Sequence, residues 1–109
     1  MRSDRERLLD MLDAIEAVKK YASKGRACFD TEELVQTWII HHLMLLGEAA
    51  AQLSDAFCDK HPAMPWSKIT GMRNVLIHGY FAIDNEVVWS AVEDDLPQLE
   101  SEIRAWLME

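Results

Sequence analysis

Cysteine is scarce in this chain. Cys28 and Cys58 stand far apart with no CxxC spacing, too few for a secreted disulfide framework, so a reducing, cytoplasmic setting is expected. Glycine and proline are sparse too, at four and three residues, which excludes fibrous and low-complexity disordered classes. There is no uninterrupted hydrophobic run long enough for a membrane span, because the longest apolar region, around Leu43, is broken by His41, His42 and Glu48. The opening "MRSDRERLLD" mixes both charge signs and lacks the apolar stretch of a signal peptide. No internal repeat and no alternating strand pattern occurs. No acid cluster with metal-ligand spacing accompanies the polar residues discussed below, so neither a metal nor a cofactor is expected.

What is present describes a soluble globular protein. The 109 residues are half apolar and 28% charged, enough for one domain, residues 1–109, that buries roughly two thirds of its unfolded surface without disulfide or metal. The net charge of −8 argues at first against a nucleic-acid partner, since phosphate repels an acidic surface. Its distribution is uneven. Residues 81–109 hold eight acids and one base, whereas Lys60 to Tyr80 contain no acid but include Lys60, His61, Lys68, Arg73 and His78.

Periodicity predicts an all-α fold, an antiparallel up-and-down bundle of four main helices. Ser3 and Glu6 have capping-box spacing, and Leu8, Met11, Leu12, Ile15, Val18 and Ala22 follow at helical intervals, so a first helix is expected from about Ser3 to Ser23. After a short loop, Asp30 or Thr31 can cap a second helix reaching about Cys58, roughly 40 Å long. Its middle, "WIIHHLMLLGEAAAQL", is apolar nearly all round. Such a helix is buried on more than one side, and in a small domain the second surface is plausibly another protomer. "KHPAMP" ends it, and a third helix is expected over Pro65–His78. Asp84 begins a fourth, whose apolar positions keep one phase through Trp106 and which should be kinked or split at Pro97.

The third helix carries a polar set that burial alone does not need: Arg73, Asn74, His78 and, just past Gly79, Tyr80. Asn74 and His78 share a face at i and i+4, while Arg73 and His78 diverge by roughly 140°. Arg73 and His78 could meet across a groove or through a two-fold axis. Arginine, asparagine and histidine without a nearby acid suit metal-free phosphodiester chemistry. Neutral histidine can take a proton from a ribose 2′-hydroxyl, and arginine can stabilise the charge developing on phosphate. On the residues alone a bland alternative stays open, in which Arg73 pairs with Glu48 and His78 caps a helix end.

"LLGEAAAQLSDAF", "MPWSKITGMRNVLIHGY" and "YFAIDNEVVWSAVEDDLPQLESEI" closely resemble the HepT-like branch of the HEPN domain superfamily. The likeness spans most of the chain and includes the pattern Arg-x-x-x-x-His-x-Tyr at Arg73, His78 and Tyr80. The resemblance implies a dimerising α-helical bundle. It implies a metal-independent endoribonuclease toxin of a toxin–antitoxin pair, acting on RNA rather than DNA, with a minimal nucleotidyltransferase as antitoxin. By the same resemblance Arg73 and His78 are catalytic, Asn74 is a helper, and Tyr80 accepts AMP from the partner. Two other readings stand beside it: a non-catalytic partner subunit of the nucleotidyltransferase, and a purely structural helical dimer.

Glu48, set among apolar residues, needs a partner if buried, and an ion pair orienting Arg73 is expected. Gly47 should permit close helix approach. The tandem His41-His42 has no further ligand set, so packing is expected rather than metal binding. Trp38, Trp66, Trp89 and Trp106 look too dispersed for a stacking platform and are expected as core anchors. Glu93-Asp94-Asp95 is expected on a solvated helix face.

Overall fold

Helix α1 (Asp4–Ala22) begins where the capping box predicts. The Ser3 side chain accepts from the Glu6 backbone N–H at 3.1 Å, and the Glu6 carboxylate accepts from the Ser3 N–H at 3.1 Å. That backbone hydrogen bond, with the Ser3 hydroxyl, holds the Glu6 carboxyl below its ordinary pKa. Leu8, Met11, Ala14, Ile15 and Val18 form the buried face, and each large apolar side chain so covered stabilises the fold by about 1.5–3 kcal/mol. The computed structural model describes residues 2–79 and 83–109, with the backbone alone for His78.

Two expected boundaries are corrected. The loop after α1 contains a short helix, α2 (Arg26–Thr31), entered through Gly25 at φ +95°, a left-handed conformation that favours glycine. Phe29 is fully buried from it, and Arg26 pairs with Asp30 at 2.9 Å and with Glu86. Asp30 and Thr31 therefore lie inside α2 and do not cap the next helix. That helix, α3 (Glu33–Ala51), starts after extended Glu32. It also stops early. Leu53 is buried and Ser54 caps a separate helix, α4 (Asp55–Lys60), by accepting from the Phe57 N–H at 3.1 Å. The Ser54 N–H and hydroxyl both donate to the Asp4 carboxylate, at 2.8 and 2.6 Å. The expected continuous helix to Cys58 is thus broken by a cap whose second half lies at the start of α1.

Helix α5 (Trp66–His78) follows Pro65 and ends at Gly79, whose N–H donates to the Val75 carbonyl at 2.8 Å. A Cβ on Gly79 would lie 2.8 Å from that oxygen, so the tight turn requires glycine. The fourth predicted helix is split as expected. Helix α6 (Asn85–Ser90) is capped by Asp84, which accepts from the Glu86 N–H at 2.9 Å. One wide π turn over Ala91–Asp95 leads into α7 (Leu96–Leu107), with Pro97 in its first turn. Proline lacks a donor and its ring crowds the carbonyl four residues earlier, and the wide turn accommodates both.

The described residues contain helices and no strand, an all-α bundle. Helix α3 is its centre, packing chiefly on α1 and on α5, while α7 closes over α1. Among the described residues Phe29, Met11, Ile15, Ile39, Leu43, Leu46, Ile103 and Val18 are the largest fully buried side chains. Among the described residues no helix is long and apolar enough to cross a membrane.

The α1–α7 contact is clamped by Glu100, which accepts from Lys19 Nζ at 3.1 Å and from Arg104 at 2.9 Å. Burial pushes the Glu100 carboxyl up, but the hydrogen bonds from Arg104 and Lys19 outweigh it and leave the pKa below its ordinary 4.5. The stability this group contributes is complete above that value and is lost as pH falls through the lower folded value. Glu100→Gln is therefore expected to cost about 1 kcal/mol at neutral pH, allowing for the exposure of its partners. The cost should fade on acidification. Urea titrations at pH 7 and in the acid limb check this, and an equal loss at both would contradict it.

Candidate active site

The site begins with a glycine. A Cβ on Gly47 would lie 2.6 Å from the Arg73 Cβ and 3.3 Å from the Ile69 carbonyl oxygen, so α3 and α5 approach as closely as they do only because residue 47 has no side chain. The contact sets Arg73 beside the next residue of α3. Arg73 NH1 meets Glu48 Oε2 at 2.8 Å, the ion pair the sequence suggested, with the arginine side chain 23% exposed and the glutamate 53%.

Asn74 completes the arrangement in a way that helical arithmetic does not suggest. Its Oδ1 accepts from Arg73 NH2 at 3.0 Å and from Nε at 3.3 Å. Successive helical residues point apart at Cβ, but the long arginine folds back to reach its neighbour. Nε, NH1 and NH2 are thereby all held, in a partly open position where an anion could exchange with the carboxylate. His78 ends α5. Its side chain, and the whole of Tyr80, lie outside the described residues, as do any contacts they make.

Apolar side chains are exposed on both helices that carry this pair. Leu76 is 2% exposed and belongs to the core, while Val75 and Ile77 on either side are 62% and 49% exposed, and Leu45 on α3 is 45% exposed. Between α5 and the α6–α7 segment runs a cavity of about 530 Å³ lined by Met64, Ile69, Met72, Val75, Val87 and Leu99. The stretch Lys60–Tyr80, acid-free in sequence, is not acid-free in space. Glu48 pairs with Arg73, and Lys68 lies 3.5 Å from Asp95 of the π turn. Sequence reasoning missed the second pair, because nothing local links residues 68 and 95.

Among the described residues no three His, Cys, Asp or Glu side chains are grouped to hold a metal ion. Cys28 and Cys58 are free thiols, and burial pushes the Cys58 thiol up, away from nucleophilic use. Trp89 is buried, as an anchor should be. Trp66 and Trp106 are half-buried around Phe57 and His61, with the His61 ring tilted against Phe57 at 4.7 Å and Trp106 at 4.5 Å, and those two edge-on to each other at 5.4 Å.

Comparison with known proteins gives the chain a family. The family model described as "Ribonuclease HepT-like" matches residues 11–106. The chain belongs to the HepT-like ribonuclease family. The match covers Glu48, Arg73, Asn74, His78 and Tyr80. One HepT-like relative, named "Probable ribonuclease HepT", from Thermococcus cleftensis, is 34% identical over 101 residues, 90% of each chain. A second, "Putative RNase MJ1380" of Methanocaldococcus jannaschii, is 35% identical over 75 residues, 69% of each chain. No solved structure matches significantly.

Proposed function

We propose that this HepT-like chain is a metal-independent endoribonuclease, the toxin of a toxin–antitoxin pair, and that a partner nucleotidyltransferase neutralises it by attaching AMP to Tyr80. The observation that carries the reading is the Arg73 guanidinium, held by Glu48 and Asn74 in a partly open position on the helix that ends at His78. In the proposed reaction the ribose 2′-oxygen attacks phosphorus and passes its proton to the His78 imidazole. Arg73 stabilises the charge on the phosphoryl oxygens. The bond from phosphorus to the 5′-oxygen breaks, the leaving oxygen takes a proton from water, the proton on His78 passes to the hydroxide so formed, and a 2′,3′-cyclic phosphate remains. Neither role asks for a metal. Induced expression with and without the neighbouring nucleotidyltransferase gene tests the pairing: growth should stop without the partner and recover with it.

The second reading, a non-catalytic partner subunit of the nucleotidyltransferase, draws on the chain's net charge of −8 and on Asp95 beside Lys68, both of which weaken attraction for RNA. RNA end mapping after induction separates the two, because only the first leaves new cyclic-phosphate ends.

We also propose a homodimer formed by α3 and α5, which would bring two Arg73–His78 sets to one cleft. What supports it is the exposure of Leu45, which lines one concavity with Glu48, and of Ile77, one turn beyond Arg73 on α5, since exposed apolar patches mark association surfaces. Light scattering at micromolar concentration should give twice the chain mass of 12.5 kDa, and Ile77→Glu should shift it toward the monomer. A folded monomer in the unaltered protein would remove the shared cleft.

A further inference from the structure

The proposed chemistry has no use for the His41-His42 tandem, yet these residues close a row of rings and cations on the α1–α3 face. Trp38 is at its centre. Its indole Nε1–H donates to the Ala17 carbonyl at 2.6 Å, which fixes the ring across the junction of the two helices. Tyr21, in the last turn of α1, stands edge-on to it with centroids 5.2 Å apart, and His42, one turn along α3, packs on it at 4.3 Å. His41 stands edge-on to His42 at 5.0 Å. Lys20 Nζ lies 5.6 Å from the Tyr21 centroid and 5.8 Å from that of Trp38, and Lys24 Nζ lies 5.4 Å from Tyr21. All six side chains are exposed or half-exposed. Neither Lys20 nor Lys24 enters a salt bridge among the described residues, unlike Lys19.

The row leads toward the candidate site. His42 lines a concavity of about 440 Å³ together with Leu45 and Glu48, the residue that holds Arg73. From Trp38 to Glu48 along α3 is ~15 Å. His42 Nδ1 faces the Trp38 carbonyl oxygen at 2.8 Å. A carbonyl only accepts, so Nδ1 carries the proton and Nε2 of the neutral ring remains an acceptor. Asp10 and Asp13 line the same concavity, and Asp10 is paired with Arg2 at 2.6 Å. Carboxylates there repel phosphate but accept hydrogen bonds from the exocyclic amines of bases. Arg7 lines the concavity as well, so phosphates meet Lys20 and Lys24 at one end of the track and base edges meet a mixed set of charges at the other.

We infer that this row is the binding track for the single-stranded RNA flanking the cut phosphate. Lys20 and Lys24 take backbone phosphates, Tyr21, Trp38 and His41 offer ring surface to bases, and His42 Nε2 with Asp13 accept from amine-bearing base edges. Rings interleaved with unpaired cations are what sequence-tolerant single-strand binding uses. The inference rests on the RNA-cutting reading, and the test keeps the two apart.

Binding of a labelled single-stranded oligoribonucleotide is measured by fluorescence anisotropy in the His78→Ala protein, so that the strand stays whole. Adding Tyr21→Ala should weaken binding about fivefold or more. Adding Lys20→Gln with Lys24→Gln, both exposed and in no salt bridge among the described residues, should lower the slope of log affinity against log salt by about 1.4. Circular dichroism checks that each variant is folded. Unchanged affinity and salt slope in the folded lysine variant would overturn the track, as would failure of the parent protein to bind the strand. Cleavage is scored separately with His78 intact. Binding that depends on Tyr21, Lys20 and Lys24 without cleavage leaves the track standing and removes the nuclease. Cleavage that is indifferent to those residues does the reverse.

Discussion

With His78 changed to alanine, RNA cleavage is expected to fall by about 10²–10⁴-fold, the range that a positioned general base contributes. The fold should persist, because residue 78 is the last of α5 and the turn after it is closed by the Gly79 N–H on Val75. Arg73→Ala should cost about 10²–10³-fold through lost transition-state stabilisation. It also leaves Glu48 without its cation. Arg73→Lys should not restore activity, since lysine cannot keep the fork that now spans Glu48 and Asn74. In all of these the products are mapped for 2′,3′-cyclic phosphate ends, and the unaltered protein is assayed with excess chelator, which should leave cleavage intact. Full activity in either alanine variant would remove the residue from the mechanism, and loss of cutting on chelation would remove the metal-free route.

If the proposed partner nucleotidyltransferase acts on this chain, co-expression with it should add the mass of AMP, and Tyr80→Phe should abolish the addition entirely. The expectation rests on where residue 80 falls. Helix α5 ends at His78 with Gly79 as its cap, and Tyr80 follows in sequence two positions after the proposed base. AMP there would add bulk and a negative charge close to Arg73 and His78, occupying the groups proposed to hold the RNA phosphate and repelling the strand. The modified protein should lose cleavage by as much as the His78→Ala variant does. Intact-mass and peptide spectrometry read the result. An undiminished mass shift in the Phe variant would move the acceptor elsewhere, and no shift with an active partner would leave direct occlusion of the cleft as the means of neutralisation.

Local signals in the chain were good guides where the stabilising partner is also local. The Ser3–Glu6 capping box, the Asp84 cap and the split near Pro97 all involve groups within one or two turns, and each is legible by spacing. Gly47 and Glu48 were legible for another reason. A glycine and an acid inside an apolar helix both need an explanation from a neighbour, and the proximity of Arg73 supplies both. The end of α3 was not legible, because the Ser54 cap that separates α4 is completed by Asp4, fifty positions away. Nor was α2, whose six residues are held by burial of Phe29 and by the Arg26–Glu86 pair rather than by propensity.

The sequence by itself determined the helical class, the phase of the buried stripes of α1 and of the α6–α7 segment, and the residues with chemistry to offer, because periodicity and side-chain type are properties of the chain read a few residues at a time. Only the tertiary structure decided what those residues face. It turned Asn74 toward Arg73, set Asp95 against Lys68, and gathered Tyr21, Trp38 and His42 into one row. Scattered in sequence, the tryptophans gave no hint of such a row. The α1–α3 packing made it, because two helices in contact juxtapose side chains whose separation along the chain carries no information about distance in space.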